Sequence, residues 1–250
     1  MKNILSFLLL CGCALAAQAQ SRANELHVAR GNEDYPPNEM HVGGKLTGLH
    51  IEVVEAVAAK LGKKVVWDEL PWLRAQKCAE EGACDAISYI SQNEERDKWA
   101  VFLGGNVLSR VEMRFVVHKA DATKLAFNGN TADYLNGKTL VTMAGYTYGP
   151  VVAKAKKYEV KNLATLAGMV AEHRYDVAIV NVDDFAGLKG KPQADELTLL
   201  SPPAWESNSY IAFSRAANGA DLAAKFQAAY ADFKKSKEYQ ALLNRFKTAP

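Results

Sequence analysis

The segment Ser91-Gln92-Asn93-Glu94-Glu95-Arg96 combines residue types that can hold an anion. A predicted strand ends just before it, and Asn93 is a good N-cap for a short helix. Helix N-terminal amides, the Ser91 hydroxyl and the Arg96 guanidinium would then form a cradle for a carboxylate. The spacing alone also fits a solvent-exposed salt bridge between Arg96 and its acidic neighbours, and that alternative stays open.

Three aromatic residues follow or end predicted strands of the same half of the chain. Tyr35 stands in a turn-rich loop after the first strand, Trp72 begins a helix, and Tyr89 ends the next strand. Ligands of open α/β sheets bind at such strand ends, so these rings are predicted to wall a pocket. We count Asn32 and Asp34, from the loop of Tyr35, among the ligand-binding candidates. Aromatic walls fit a cation or a flat apolar group, and ordinary packing is the alternative.

The sequence patterns of common enzymes are absent: we find no nucleophile elbow, phosphate-binding loop, dinucleotide fingerprint or zinc-protease motif. The histidines are scattered, and none forms a pair at helical spacing, so no metal site and no cofactor is predicted; they are His27, His41, His50, His118 and His173. Asp183 and Asp184 form a carboxylate pair in the sequence, but adjacent residues on a helix point apart. We therefore interpret them as the first turn of a helix.

The elements that must position these residues alternate between strands and helices. Strands are predicted at 26–29, 64–68 and 85–90, with helices at 49–61 and 72–81, and the same rhythm repeats after residue 113. The fold class is therefore α/β, with a mostly parallel sheet in each of two similar halves. The 250 residues are 49% hydrophobic with a net charge of +2, which argues against disorder and against nucleic-acid binding.

The first residues have the pattern of an export signal. Lys2 precedes an apolar run, and Ala17-Gln18-Ala19 is a small-residue cleavage site, so residues 1–19 are predicted to be removed after Ala19. The mature protein is then expected in the periplasm. The alternatives are an uncleaved anchor and a lipoprotein attached through Cys13.

Cleavage would leave two cysteines, Cys78 and Cys84, on either side of Gly82. An exported chain meets an oxidising compartment, so an intrachain disulfide is predicted. The alternative is a pair of buried thiols that do not meet.

The order and spacing of several short motifs resemble bacterial extracellular solute-binding proteins of family 3, the periplasmic binders of polar amino-acid ABC importers. The matching segments run through most of the mature chain and are Asp34-Tyr35-Pro36-Pro37, Gly44 to Glu52, Gly82 to Ile87, Asn93-Glu94-Glu95-Arg96, Asn136-Gly137-Lys138 with Gly145, and Tyr175 to Ile179.

The resemblance implies a two-lobe periplasmic-binding-protein fold of type II with a ligand cleft between the lobes. Residues 22–107 and 209–250 are assigned to lobe 1 and 108–208 to lobe 2, with hinge closure on the ligand. It also implies that Ser91 and Arg96 hold the ligand carboxylate and that Tyr35 and Trp72 sandwich its side chain. The second-lobe loop that donates amides in the family corresponds to Gly145, Tyr146 and Thr147.

Two positions depart from the family pattern. Asn181 stands where the family has the carboxylate that binds the ligand's amino group, and an amide lacks the Coulomb attraction of that carboxylate. Met143 replaces a polar or basic contact. Glu33, Asp34 or Asp183 could supply the missing charge, so the ligand need not be a standard α-amino acid.

The leading functional hypothesis is a monomeric, non-catalytic carrier that captures a small carboxylate-bearing solute and delivers it to the membrane permease of an ABC importer. A stand-alone ligand sensor that acts through a membrane partner is the second hypothesis. An enzyme on the same scaffold, such as a dehydratase-like relative, is the third, and it would need a poised acid or base in the cleft.

Overall fold

The computed structural model describes residues 24–247. The predicted signal peptide, its cleavage site and Cys13 lie outside the described residues. The strands are β1 (Glu25–Gly31), β2 (Met40–Val42), β3 (Lys45–Thr47), β4 (Lys64–Leu70), β5 (Ala86–Ser91), β6 (Ala100–Val101), β7 (Val107–His118), β8 (Leu140–Met143), β9 (Tyr158–Val160), β10 (Val177–Asn181), β11 (Leu197–Leu199) and β12 (Trp205–Ser214). The helices are α1 (Leu49–Lys60), α2 (Trp72–Glu80), α3 (Thr131–Leu135), α4 (Gly149–Lys154), α5 (Leu163–Ala171), α6 (Val182–Ala186), α7 (Gly219–Phe233) and α8 (Lys237–Lys247).

The strands of the two halves join through β7 and β12. The order along the main ladder is β4-β1-β5-β12-β7-β10-β8-β9. Parallel pairs β1–β4 and β1–β5 form one half, and the parallel pairs β10–β8 and β8–β9 form the other. β12 pairs antiparallel with β7 between the two halves, so both strands serve as the crossings.

Each half has its own buried hydrophobic core. In the half that contains β1, apolar residues of α1 and α7 cover one face of the sheet and residues of α2 cover the other; they include Val54, Phe226, Ala75 and Ile87. In the half that contains β10, another cluster packs around β7, β8, β10 and α5; it includes Phe115, Val141, Leu166 and Ile179. Two cores on either side of β7 and β12 describe two lobes with a cleft between them.

The local sequence accounts for how these elements form. In α1 the buried residues recur at helical spacing and include Val53, Val54 and Val57. The helix ends where Gly62 adopts φ +71°, a left-handed conformation that glycine supplies without strain. β10 is buried at every position, as is typical of a strand covered on both faces. Among residues 24–247, none of the helices is both long and apolar enough to cross a membrane.

Some elements differ from the sequence predictions. The helix predicted to follow Asn93 is a single 3-10 turn over Arg96–Lys98: the Asn93 side chain accepts the Arg96 amide at 2.8 Å, as an N-cap does, but the chain enters β6 at Ala100. The sequence predicts strands at 113–118 and 210–213; in the structure these strands, β7 and β12, begin earlier, at 107 and 205. The hairpin β2–β3 was not predicted, since its strands are three residues long and mostly exposed.

The structure joins Cys78 and Cys84 in a disulfide, as the sequence predicts. Cys78 lies near the end of α2 and Cys84 is buried just before β5. The Cys84 amide also donates to the Cys78 carbonyl at 3.1 Å. The bond therefore fixes the C-terminal end of α2 next to β5, the strand that carries Tyr89. The N-terminal residue of the same helix, Trp72, lies at the cleft.

Replacing both cysteines by serine is expected to lower the free energy of unfolding by about 2 kcal/mol, because a short loop would no longer be closed in the unfolded chain. Thermal unfolding of mature protein measures this change. Thiol titration of the denatured wild type should find no free thiol; two free thiols in exported material, or an unchanged melting temperature in the double variant, would contradict the assignment.

Candidate functional site

A small cavity of about 40 Å³ lies between the two lobes. Aromatic rings dominate its walls, and charged side chains of both signs reach it. The residues that line it are Gly31, Tyr35, Glu39, Trp72, Tyr89, Ser91, Arg96, Val111, Met113, Tyr146, Thr147, Asn181 and Asp184. Strand ends of both halves thus converge on one site, as expected for an open α/β fold.

Arg96 is buried where the lobes meet, with 4% of the residue exposed. Its Nη1 donates to the Ser91 carbonyl at 2.6 Å and its Nη2 to the Gly145 carbonyl at 2.7 Å. Its Nε donates to the Gln76 side-chain oxygen at 3.3 Å. All three acceptors are neutral, and among residues 24–247 no carboxylate lies within 4.0 Å of the guanidinium. A guanidinium has five N–H groups, so these contacts leave two for another acceptor.

The electrostatics of Arg96 follow from this burial. Loss of solvent lowers the pKa of the guanidinium to about 10, against smaller raising effects from the charges of Glu95 and Tyr146. The group therefore stays charged at neutral pH. Its central carbon lies 5.7 Å from the centroid of the Trp72 ring, within the range of a cation–π contact. A buried guanidinium whose contacts are neutral oxygens and one ring face would be stabilised by a bound anion.

The carbonyl of Gly145, on lobe 2, accepts several hydrogen bonds from lobe 1. It accepts hydrogen bonds from Arg96 Nη2, from Trp72 Nε1 at 2.9 Å and from Gln76 Nε2 at 3.3 Å. Gly145 adopts φ +76°, and a Cβ at this position would lie 2.4 Å from Leu73 Cδ2. The position therefore favours glycine for its backbone conformation, and an added Cβ would also displace the Leu73 side chain of the facing lobe.

Tyr89 reaches from lobe 1 into lobe 2. It has φ +56°, uncommon for a bulky residue, where the register between β5 and β12 shifts. Its hydroxyl donates to Asp183 Oδ2 at 2.5 Å and accepts from Asn181 Nδ2 at 2.7 Å. Asp183 Oδ2 also accepts from Asn38 Nδ2 at 2.6 Å. Backbone strain at this residue is thus held in place by contacts across the cleft.

A buried ion pair supports the loop of Tyr35. Arg30, which is fully buried, donates through Nε to Glu39 Oε2 at 3.0 Å and also pairs with Glu69. Burial raises the pKa of the Glu39 carboxyl, but the Arg30 charge and the imidazole of His50 outweigh that effect and lower it below its usual range. The backbone of Glu39 pairs with that of Tyr35, so the ion pair orients the loop that carries the aromatic ring.

Asp184 is one of five lining residues that sequence reasoning missed; the others are Gly31, Glu39, Val111 and Met113. Asp184 lies in the first turn of α6, as predicted for the Asp183–Asp184 pair, but it is 3% exposed and lines the cavity. Burial, with the charges of Asp183 and Glu33, raises its pKa well above the usual range. Adjacent residues on a helix point apart, which is why Asp183 faces Tyr89 while its neighbour faces the cavity. The helix direction that decides this was not visible in the sequence.

The structure brings most of the predicted site residues together. Eight of them, from both lobes, line the cavity: Tyr35, Trp72, Tyr89, Ser91, Arg96, Tyr146, Thr147 and Asn181. Gly145 adjoins them through its carbonyl rather than its amide. Asn32 and Asp34 are exposed and do not line the cavity; Asp34 accepts a hydrogen bond from the His41 backbone at 3.1 Å. Met143 is buried and does not line the cavity.

Three residues of types that can bind a metal ion lie close together on lobe 2. One ligand atom each of His118, Asp121 and His173 falls within 4.8 Å of the others. His118 Nδ1 accepts the amide of Ala120 at 3.1 Å, and its Nε2 lies 3.4 Å from Glu196. An imidazole that accepts through Nδ1 carries its proton on Nε2 when neutral. His118 is thus arranged to cap a turn and pair with Glu196, and we assign no metal to this group.

Comparison with known proteins identifies the family and the fold. Residues 28–249 match the family described as "Bacterial extracellular solute-binding proteins, family 3". The "Probable amino-acid-binding protein YxeM" of Bacillus subtilis is 28% identical over 73% of this chain, and the match spans 66% of that relative's length.

Solved structures show the same fold. The amino acid ABC transporter substrate-binding protein AbpA from Streptococcus pneumoniae, bound to L-arginine, has a TM-score of 0.72 at 19% identity, over 92% of this chain and 98% of that one. A histidine kinase sensor domain with similarity to periplasmic binding proteins has a TM-score of 0.74 at 19% identity, over 88% and 95%. The predicted two-lobe periplasmic-binding-protein fold is confirmed.

The contact at Gly145 generates a prediction about closure. Gly145→Ala and Gly137→Ala both place alanine at positive φ, +76° and +72°, at a cost of about 1–2 kcal/mol each in the free energy of unfolding. Only at Gly145 would the new Cβ meet the facing lobe, since nothing lies within 4 Å at Gly137. Small-angle scattering is expected to show a larger radius of gyration for Gly145→Ala alone. Equal radii for the two variants would show that this contact does not limit closure.

Proposed function

Because the chain belongs to family 3 of the bacterial extracellular solute-binding proteins, we propose that it is a periplasmic carrier. It captures a small carboxylate-bearing solute, an amino acid or a related zwitterion, in the cleft between its lobes. It then presents this solute to the membrane permease of an ABC importer. The relatives named above are binding or sensor proteins, and we propose that this chain likewise binds its solute without transforming it.

The observation that carries the proposal is the state of Arg96. Burial of a charge is costly unless a counter-charge and hydrogen bonds compensate it. Here the acceptors come from Ser91, Gly145 and Gln76, and none of them is charged. A ligand carboxylate would accept two parallel N–H bonds from the guanidinium and neutralise it. Ser91 lines the same cavity, and its hydroxyl, 3.3 Å from that of Ser207, would add a donor.

We propose that residues 22–107 and 209–250 form lobe 1 and residues 108–208 form lobe 2, with closure by rotation about β7 and β12. The separate cores on either side of these strands support that division. The hydrogen bonds that Tyr89 and Arg96 make to lobe 2 would close the cleft over the solute. In such a hinge, the crossing strands absorb the motion and the lobes move as rigid units.

A stand-alone sensor is the second candidate. The chain shares its fold with a histidine kinase sensor domain over 88% of its length. The same cleft would then report the solute to a membrane partner instead of delivering it. Uptake of radiolabelled ligand in cells with and without the protein distinguishes the two candidates, because a carrier is required for uptake and a sensor is not.

Arg96→Ala is expected to weaken ligand binding by about 30-fold to several-thousand-fold, since one partner of a buried charge pair is worth roughly 2–5 kcal/mol. Arg96→Lys should also bind less tightly, because an ammonium cannot reproduce the two parallel bonds of a guanidinium. A thermal-shift screen of amino acids and small organic acids identifies the ligand, and isothermal titration calorimetry gives the affinities.

Arg174→Ala is the matched control. Arg174 is exposed on lobe 2 and pairs only loosely with Glu172, at 3.8 Å. This variant should keep wild-type affinity. If Arg96→Ala also keeps it, the carboxylate site at Arg96 is wrong.

A further inference from the structure

Four aromatic side chains from both lobes surround the cavity: Tyr35, Trp72 and Tyr89 from lobe 1 and Tyr146 from lobe 2. The rings of Tyr35 and Tyr89 meet edge to face, with centroids 5.6 Å apart and planes at 69°. Trp72 and Tyr146 meet in the same way, at 5.7 Å and 66°. Rings set at steep angles around one space form an aromatic box, and ring faces attract a cation.

Asp184 brings a buried carboxyl group to this aromatic box. The residue is 3% exposed and lines the same cavity, and among the described residues no Lys, Arg or His side chain comes within 4.0 Å of its carboxylate. Burial raises the pKa of this carboxyl, and a cation beside it would favour its ionised form. A buried carboxylate without a counter-charge is costly, and a ligand cation would remove that cost.

Glu39, the other carboxylate at the cavity, differs from Asp184 in this respect. Its Oε2 already accepts from Arg30 at 3.0 Å, and its Oε1 accepts from the Ser88 hydroxyl at 2.5 Å. Glu39 is fully buried, and the Arg30 guanidinium compensates the charge of its carboxylate. Asp184 is therefore the carboxyl group in the cavity whose ionised form a ligand cation would stabilise.

The tyrosine hydroxyls of the aromatic box are engaged in hydrogen bonds within the protein. The Tyr89 hydroxyl donates to Asp183 and accepts from Asn181, and the Tyr146 hydroxyl donates to that of Tyr35 at 3.3 Å. An unmethylated ammonium brings three N–H donors, each of which needs an acceptor once it leaves water, and Asp184 is the carboxyl group of the box that these bonds leave available. A methylated ammonium needs none, and its methyl groups fit ring faces and the apolar side chains of Val111 and Met113.

The size of the cavity also limits the ligand. The space between its walls is about 40 Å³. The closed cleft therefore favours a small ligand over one with a long side chain.

We propose that the ligand is a betaine: a small carboxylate that also carries a quaternary ammonium group. Its carboxylate binds Arg96, and its cation lies in the aromatic box beside Asp184. This inference rests on the proposed function, because it takes the Arg96 carboxylate site as given and assigns the opposite end of the same ligand. It also gives a reason for Asn181, where the family's ammonium-binding carboxylate is replaced by an amide that holds Tyr89.

The test is calorimetric titration of the mature protein with matched pairs of ligands. The pairs are trimethylglycine and glycine, alanine betaine and alanine, and proline betaine and proline. The uncharged-headgroup isostere of trimethylglycine, 3,3-dimethylbutanoate, controls for shape. In at least one pair the methylated member should bind at least tenfold more tightly than its parent, and trimethylglycine should bind at least tenfold more tightly than 3,3-dimethylbutanoate.

The outcomes separate this inference from the proposed function. If parent amino acids bind more tightly in every pair and depend on Arg96, the betaine assignment is overturned and the carboxylate carrier stands. If 3,3-dimethylbutanoate binds as well as trimethylglycine, the cation site is overturned and the carboxylate site stands. If no carboxylate in a broad screen binds, both proposals fall.

Variants assign the effect to the aromatic box. Asp184→Asn should weaken betaine binding at least tenfold and leave 3,3-dimethylbutanoate unchanged, while Asp195→Asn, at an exposed site on lobe 2, should change neither. Tyr146→Phe keeps the ring and should keep betaine affinity within about threefold, whereas Tyr146→Leu should lose at least tenfold. Equal losses in both Tyr146 variants would show that the hydroxyl, not the ring face, holds the ligand, and would overturn the proposal.

Discussion

A guanidinium buried between two lobes, with no carboxylate of the described residues beside it, is the constraint on which the rest of this structure depends. Arg96 donates to carbonyls of both lobes, through Ser91 on one side and Gly145 on the other. Neutral oxygens satisfy some of its N–H groups but leave its charge uncompensated. Trp72 and Gln76 bind the same Gly145 carbonyl. The interface between the lobes is therefore built around a cation that can still take an anion.

The second buried arginine of lobe 1 shows what a purely structural role looks like. Arg30 is fully buried, and its guanidinium pairs with Glu39 and Glu69 and donates to the Glu33 carbonyl. Its charge is compensated within the protein, and its effect is to hold the loop that carries Tyr35. Two arginines of similar burial thus differ in their partners, and that difference separates the support of the cleft from the binding site itself.

Local patterns in the sequence were sufficient for much of the fold and for half of the site. The α/β alternation and the order of short motifs predicted a two-lobe fold, and the structure places Tyr35, Trp72 and Arg96 at one cavity. Asp184 could not be predicted, because which residue of the Asp183–Asp184 pair faces the cleft depends on how α6 leaves β10. The same holds for His118 and His173, which the fold stacks with ring centroids 4.1 Å apart although they are far apart in sequence. Asn32 and Asp34 share a loop with Tyr35 but face solvent, since turn-rich sequence does not specify orientation.

The most direct measurement of the central claim is a crystal structure of the protein with its carboxylate ligand bound. The account predicts that both ligand carboxylate oxygens lie at hydrogen-bonding distance, about 2.7–2.9 Å, from nitrogens of the Arg96 guanidinium. The ligand carboxylate would then compensate the charge that the protein leaves bare. A ligand whose carboxylate lies elsewhere, with Arg96 still bound only to the carbonyls of Ser91 and Gly145, would contradict it.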